Sequence, residues 1–392
     1  MTKINTDTKK IEEILMRNVS FLKPKDQLKE QLESGKQLRV KFGIDPTGSR
    51  IHVGRASTLI KLREFQDMGH QIVLIVGDFT ARVGDASDKT KERPMLTKED
   101  IEKNLENYLT EIGRVLDIDK CEVRNNSQWL GKLDFNEIAE LANNFSIAEM
   151  LDRENFSQRY KKGVRISLRE FMYPLMQGYD SVAIKADVEV GGNDQLFNML
   201  AGRTLQKAFG LDPQSVMGTT LLNAADGTKM STSIGNCIFI DETPNEMYGK
   251  LMASRDEEMT SYFEGLTSVD MEEAQKMIES DPRSAKAWLA REVVTFFHDE
   301  KAAEKAEEEF NAVFRDKGKP SSIEEFEVKK GIQLLEFMFE TKMIASKTEG
   351  RHLLEQKGVK VNDATVTDGF HELTDNDEVR VGKRRWAIVK LT

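Results

Sequence analysis

Cysteine is nearly absent: Cys121 and Cys237 are the two in 392 residues, no CxxC pair occurs, and no histidine clusters near either. A structural zinc site and a disulfide framework are therefore not expected, and a reducing cytoplasm suits such a chain. Long apolar runs are missing too, none approaching the roughly 20 residues a membrane span needs. The first residues scatter Lys and Asp with no continuous apolar segment, so a signal peptide is not expected. Positive charge is in deficit, with 57 Lys and Arg against 67 Asp and Glu and a formal net charge of −10. A polyanionic partner would need a basic patch segregated on an otherwise acidic surface. No internal repeat and no low-complexity tract occurs.

What is present exceeds one ordinary core and predicts two or three domains. Residues 1 to about 36 read as a charged helical lead-in. From 38 to about 233, strand-like runs alternate with amphipathic helices, the pattern of an α/β fold with a parallel sheet. Runs 38–44, 71–77, 181–190 and 216–222 are the expected strands. The stretch 98–129, centred on a helix over 99–116, reads as an insertion between the two halves of that sheet. From 244 to about 315 the pattern is helical, 316–330 reads as a linker, and a small compact unit follows over 331–392.

Chemistry concentrates at the turns. Gly43, Asp45, Pro46 and Thr47 sit where a strand passes into the helix that opens at His52, and backbone amides at a helix N-terminus attract anions. The next turn holds Gly77, Gly84, Asp85, Lys89, Lys91 and Arg93: a carboxylate for an ammonium group and cations for pyrophosphate. Ser167 and Glu170 form a capping box opening a helix. On that helix Tyr173, Gln177 and Asp180 share one face. Burying Asp180 unpaired would be costly, so the stripe must meet water or a ligand. Gly191-Gly192-Asn193-Asp194-Gln195 leads from a strand into a helix, with Asp194 placed for ribose hydroxyls. Lys229-Met230-Ser231-Thr232-Ser233 adds a cation on a Ser/Thr-rich loop. Each segment alone has a bland reading as a turn, a cap or a solvated face. Five turns that all supply parts for ATP and an amino acid make that reading improbable in combination.

Taken in order, His52-Val53-Gly54 and Lys229-Met230-Ser231 resemble the two signatures of class I aminoacyl-tRNA synthetases, usually written HIGH and KMSKS. With the Tyr173/Gln177/Asp180 stripe and Gly191–Gln195, the chain resembles the bacterial tyrosyl-tRNA synthetases, in particular their second subgroup. The resemblance implies a Rossmann-like catalytic domain over 1–243, whose insertion, around 98–165, contributes a homodimer interface. It implies a helical anticodon-side domain over 244–315 and a small α+β RNA-binding domain over 331–392. ATP enters as a substrate with Mg²⁺, and no tightly bound cofactor or protein metal site is expected. The partners implied are tyrosine, ATP and tRNA(Tyr), with no membrane.

The resemblance also assigns roles. Thr47, His52, Lys89, Arg93, Lys229 and Thr232 would serve the reacting phosphates. Gly43, Asp45, Gly54, Arg55, Gly192, Asp194, Met230 and Ser231 would hold ATP. Lys41, Asp85, Tyr173, Gln177, Asp180 and Gln195 would hold tyrosine, with Asp180 on its hydroxyl. Lys347, Arg351, Lys357 and Lys360 would contact tRNA. Arg55 replaces the second histidine of the first signature, and Thr232 the second lysine of the other. Lys41 stands where one subgroup has tyrosine, and the second subgroup has lysine there as well. A tryptophanyl enzyme, or a synthetase-like RNA-binding protein without aminoacylation activity, is the alternative expectation.

Overall fold

The computed structural model describes residues 4–45, 50–85, 104, 107–230, 235–314, 323–344, 346–382 and 385–392. The chain divides into two compact units, Met1–Glu307 and Glu308–Thr392.

The first unit is built on a six-stranded sheet in the order β1-β6-β5-β2-β3-β4. Its strands are β1 (Phe21–Lys23), β2 (Arg39–Ile44), β3 (Gln71–Val76), β4 (Glu122–Asn125), β5 (Val188–Gly192) and β6 (Ser215–Thr219). All neighbours run parallel except β1, which lies antiparallel to β6. Residues 72–76 of β3 are all buried, because helices cover both faces of a parallel sheet, and that is why the strand is a continuous apolar run. The helix Val53–Asp67 returns the chain from β2 to β3 and opens, as expected, at His52, its N-cap.

Two expectations need correction. The run 181–190 is not one strand: the helix opened by the Ser167/Glu170 capping box continues to Ile184. It ends at Lys185 in a left-handed conformation, φ 51°, and β5 starts only at Val188. Pro174 lies inside this helix, which runs on unbroken. A Cβ at Gly178 would stand 3.0 Å from the backbone carbon of Ala201, so glycine here lets this helix press against the helix Leu196–Ala208. The run 216–222 is likewise shorter, with β6 ending at Thr219.

Behind the sheet come the helices Pro244–Met252, Met259–Leu266, Met271–Ser280 and Pro282–Phe297. Pro244 and Pro282 each open a helix capped by Thr243 and Asp281, where a missing N–H costs nothing. Arg17 ties the N-terminal helix Thr8–Met16 to this layer by donating to the carbonyls of Phe263, Glu264, Thr267 and Val269. Of the insertion helix expected over 99–116, residues 104 and 107–116 are described; 104 and 107–112 are helical, and the helix gives way to a turn at 113, earlier than expected.

The second unit carries its own five-stranded sheet, β7-β11-β10-β8-β9. Its strands are β7 (Glu324–Val328), β8 (Val359–Val361), β9 (Ala364–Thr365), β10 (Glu378–Val381) and β11 (Arg385–Leu391). β7 falls inside the stretch read as linker, yet it pairs in parallel with β11. The helices Leu334–Glu340 and Lys347–Glu355 enclose a core of Leu334, Phe337, Met338, Val359, Val379 and Val389.

Candidate active site

From β2 the chain order climbs through β3 on one side and β5 on the other, so the loops leaving β2 and β5 diverge and open a crevice at the carboxyl edge. Asp45 follows β2, the helix Thr80–Val83 follows β3, Asn126 follows β4 and Asn193–Gln195 follows β5. Topology brings Asp45, Thr80, Asn126 and Asn193–Gln195 to one edge of the sheet.

Asp180 is 4% exposed and accepts two hydrogen bonds. Trp129 Nε1 donates to Oδ1 at 2.7 Å, and Asn126 Nδ2 reaches Oδ2 at 3.4 Å. Burial pushes the carboxyl up to about 7, while Lys41 and the two N–H donors pull the other way. The result is a carboxylate desolvated enough to value a further donor and supported enough to accept one. Sequence reading missed Asn126 and Trp129. The one available signal was an asparagine directly after a strand with a tryptophan three residues on.

Tyr173 and Gln177 lie on the same helix face as Asp180. The Tyr173 hydroxyl donates to Asp45 Oδ2 at 2.8 Å, and Thr80 Oγ1 donates to Asp45 Oδ1 at 2.8 Å. Asp45, expected at ATP, is thus held by the tyrosine-site side chain. Burial, with Asp45 alongside, raises the Tyr173 phenol well above its ordinary pKa, so it stays a donor. A Cβ at Gly77 would stand 2.0 Å from Asp45 Oδ1, so this turn requires glycine. Gln195 Nε2 donates to Asp85 Oδ2 at 2.8 Å and to Asp194 Oδ2 at 3.2 Å, joining three predicted residues. Gly43 has nothing within 4 Å of where a Cβ would sit, and Gly192 would meet Asp194 Oδ1 at 2.7 Å.

Lys41 differs from its expected place in the tyrosine pocket. Its side chain is wholly buried, and its ammonium is committed to Glu189, the Gln177 carbonyl and Ser181 Oγ. It lies under the site.

The segment of the first signature is bound to the stretch that follows the second, far away in sequence. Val53 N donates to the Ile238 carbonyl at 2.8 Å, and Ile240 N to the Ile51 carbonyl at 3.0 Å. A Cβ at Gly54 would stand 3.1 Å from His52 Nδ1 and 3.4 Å from Met230 Sδ. His52 is the N-cap of the helix Val53–Asp67, and its Nδ1 is buried with no partner among the described residues. Burial, aided by the charge of Arg55, lowers its pKa to about 4, so the ring is neutral at pH 7. Arg55 is exposed and donates to the Tyr108 hydroxyl. Lys229 follows the turn at Gly227, φ 81°, and its side chain is exposed. Thr47, Lys89, Arg93, Ser231 and Thr232 lie outside the described residues.

In the second unit Arg351 and Lys357 are exposed, Lys360 is half-buried on β8, and Lys347 pairs with Glu336 at 2.5 Å. Among the described residues no three His, Cys, Asp or Glu side chains gather as a metal site.

The model of the class I tRNA synthetases (W and Y) matches residues 33–315. The tyrosine--tRNA ligase of Carboxydothermus hydrogenoformans is 43% identical over 394 residues, covering 95% of this chain and 96% of that one. That of Thermotoga maritima is 42% identical over 382 residues, covering 95% of each chain. In fold, a C-terminally truncated mitochondrial tyrosyl-tRNA synthetase of Aspergillus nidulans superposes with a TM-score of 0.65 at 23% identity, over 78% of this chain and 94% of that chain. None of these relatives favours the tryptophanyl or non-catalytic alternative. The chain belongs to the tyrosine--tRNA ligase family of the class I tRNA synthetases.

Proposed function

We infer that this chain activates tyrosine with ATP and transfers it to the 3′ end of tRNA(Tyr). The observation that carries the amino-acid choice is Asp180, a buried carboxylate held by Trp129 and Asn126. A phenol hydroxyl gives it a donor. A phenyl ring would leave the same desolvated carboxylate short of one, at a cost of about 1–3 kcal/mol or more. Asp85, Tyr173 and Gln177 take the α-ammonium, Gln195 lies near the carboxylate, and Asp194 takes the ribose hydroxyls.

The step itself asks little of acids and bases. The tyrosine carboxylate attacks the α-phosphate in line, the bond to the bridging oxygen breaks, and pyrophosphate leaves. Positioning and charge stabilisation carry the rate. Lys229, Lys89 and Arg93 supply positive charge, and Thr47 and the neutral His52 supply neutral hydrogen-bonding groups. Mg²⁺ arrives with ATP as part of the substrate. A ribose hydroxyl of tRNA then displaces AMP from the adenylate.

The second unit, with Lys347, Arg351, Lys357 and Lys360, is the tRNA-binding module in this reading, and the cytoplasm is where it works. A homodimer through the insertion is supported by Phe135, Ile147 and Tyr160, each at least two-thirds exposed in the single chain, where a second copy would cover them. ATP–pyrophosphate exchange with each amino acid in turn tests the function. Exchange with tyrosine alone is expected; exchange with tryptophan, or with none, would overturn the reading.

A further inference from the structure

Under the helix Leu168–Ile184 lies a closed polar set that the chemistry above does not use. Lys41 on β2 and Glu189 on β5 pair at 2.9 Å with side chains 0% and 2% exposed. Glu189 Oε1 accepts from Gln177 Nε2 at 3.1 Å, and its Oε2 from Gln214 Nε2 at 2.5 Å and Ser181 Oγ at 3.4 Å. Lys41 Nζ also donates to the Gln177 carbonyl at 2.7 Å and to Ser181 Oγ at 2.8 Å. A buried ion pair is a poor device for stability alone, because well-packed apolar residues of equal volume serve as well or better. Here it has a directional effect. A side-chain amide has one donating and one accepting end of nearly equal shape. A carboxylate only accepts, so the end of Gln177 facing Glu189 is the nitrogen. The oxygen is left to accept, and an ammonium group only donates.

We propose that Glu189, held in place by Lys41, is a positioning residue for the amino-acid substrate: it fixes the Gln177 amide so that the oxygen receives the α-ammonium. This rests on the assignment of Gln177 to the ammonium made above. An uncharged group at 189 accepts either end of the Gln177 amide. The flipped amide then sets its NH₂ against the ammonium, donor against donor.

The test uses the full chain and three ligands: L-tyrosine, tyramine, which keeps the ammonium, and 3-(4-hydroxyphenyl)propionate, which lacks it. Glu189→Gln should weaken L-tyrosine and tyramine roughly tenfold, the scale of one charge-assisted hydrogen bond, and leave the propionate within about twofold. The KM for ATP should not move. Equal weakening of all three ligands, or of none, overturns the proposal. Gln177→Ala separates the two layers of the argument. If it leaves tyramine binding intact, the ammonium assignment fails and this proposal with it; if it weakens tyramine while Glu189→Gln does not, the positioning role alone fails. Glu189→Gln leaves the Lys41 ammonium without its carboxylate. Should that variant not fold, Lys41→Met/Glu189→Gln, which removes both charges, carries the same expectation.

Discussion

Trp129 Nε1 donates to Asp180 Oδ1 at 2.7 Å, linking the segment after β4 to the helix Leu168–Ile184. Trp129→Phe keeps most of the aromatic bulk and removes the donor. A hydrogen bond to a charged group is worth about 1.5–3 kcal/mol. The KM for tyrosine in pyrophosphate exchange should therefore rise roughly ten- to a hundredfold, with the KM for ATP little changed. Unchanged tyrosine KM would make the indole a packing group only.

The pH dependence of tyrosine binding should report Asp180. Burial holds its carboxyl near 7 against an ordinary value of 3.8. The folded chain thus holds this proton more tightly than the unfolded one. Its contribution to stability is full below the ordinary value and is lost as pH rises toward 7. Ligand affinity runs the opposite way, because the phenol hydroxyl donates best to the ionised form. Equilibrium binding of tyrosine should tighten from about pH 6 to about pH 8 and then level. Asp180→Asn should flatten that rise, and a rise that survives the substitution would assign it to another group.

Gly77→Ala should disable the site from a residue with no functional atom of its own. The added Cβ would stand 2.0 Å from Asp45 Oδ1 and 2.5 Å from Thr80 Oγ1, so Asp45 must leave its bond to the Tyr173 hydroxyl. Overpacking of this kind costs about 1–3 kcal/mol. A lowered melting temperature together with at least roughly tenfold slower exchange is expected. Full activity would show that the Asp45–Tyr173 bond is dispensable.

Removing the second unit should weaken tRNA charging and leave pyrophosphate exchange nearly intact, since it has its own core. The cut matters: ending the chain before Glu324 removes the sheet whole, whereas ending it at 330 strands β7 without its partner β11. Loss of exchange in a folded chain ending before Glu324 would contradict the division of labour.

What the sequence made legible was local. The capping box at Ser167, the shared face of Tyr173, Gln177 and Asp180, and the glycines that end β5 depend on spacings within one or two turns. The misplaced strand over 181–190 arose because Ser181, Val182, Ala183 and Ile184 finish a helix with residues that also suit a strand, and only the left-handed turn at Lys185 separates them. Asn126, Trp129 and Glu189 were not legible because they reach Asp180 and Gln177 through neighbouring strands. The burial of Lys41 was hidden for the same reason: its partner Glu189 lies on the adjacent strand, far away in sequence.

The place of β11 bears on how the molecule is made. In the sheet order β7-β11-β10-β8-β9, the first strand of the second unit has one neighbour, and that neighbour is the last strand of the chain. Glu324 must wait for Ala387 and Val328 for Leu391. Domains fold as units, N-terminal first, during synthesis. The catalytic unit is then free to fold while the second unit is still being made. The smaller unit cannot close its sheet until Arg385–Leu391 emerges, and its long-range pairing should make it slow for its size. Each new molecule thus completes its activation site before its second sheet, whose first strand stays unpaired until Arg385–Leu391 has been made.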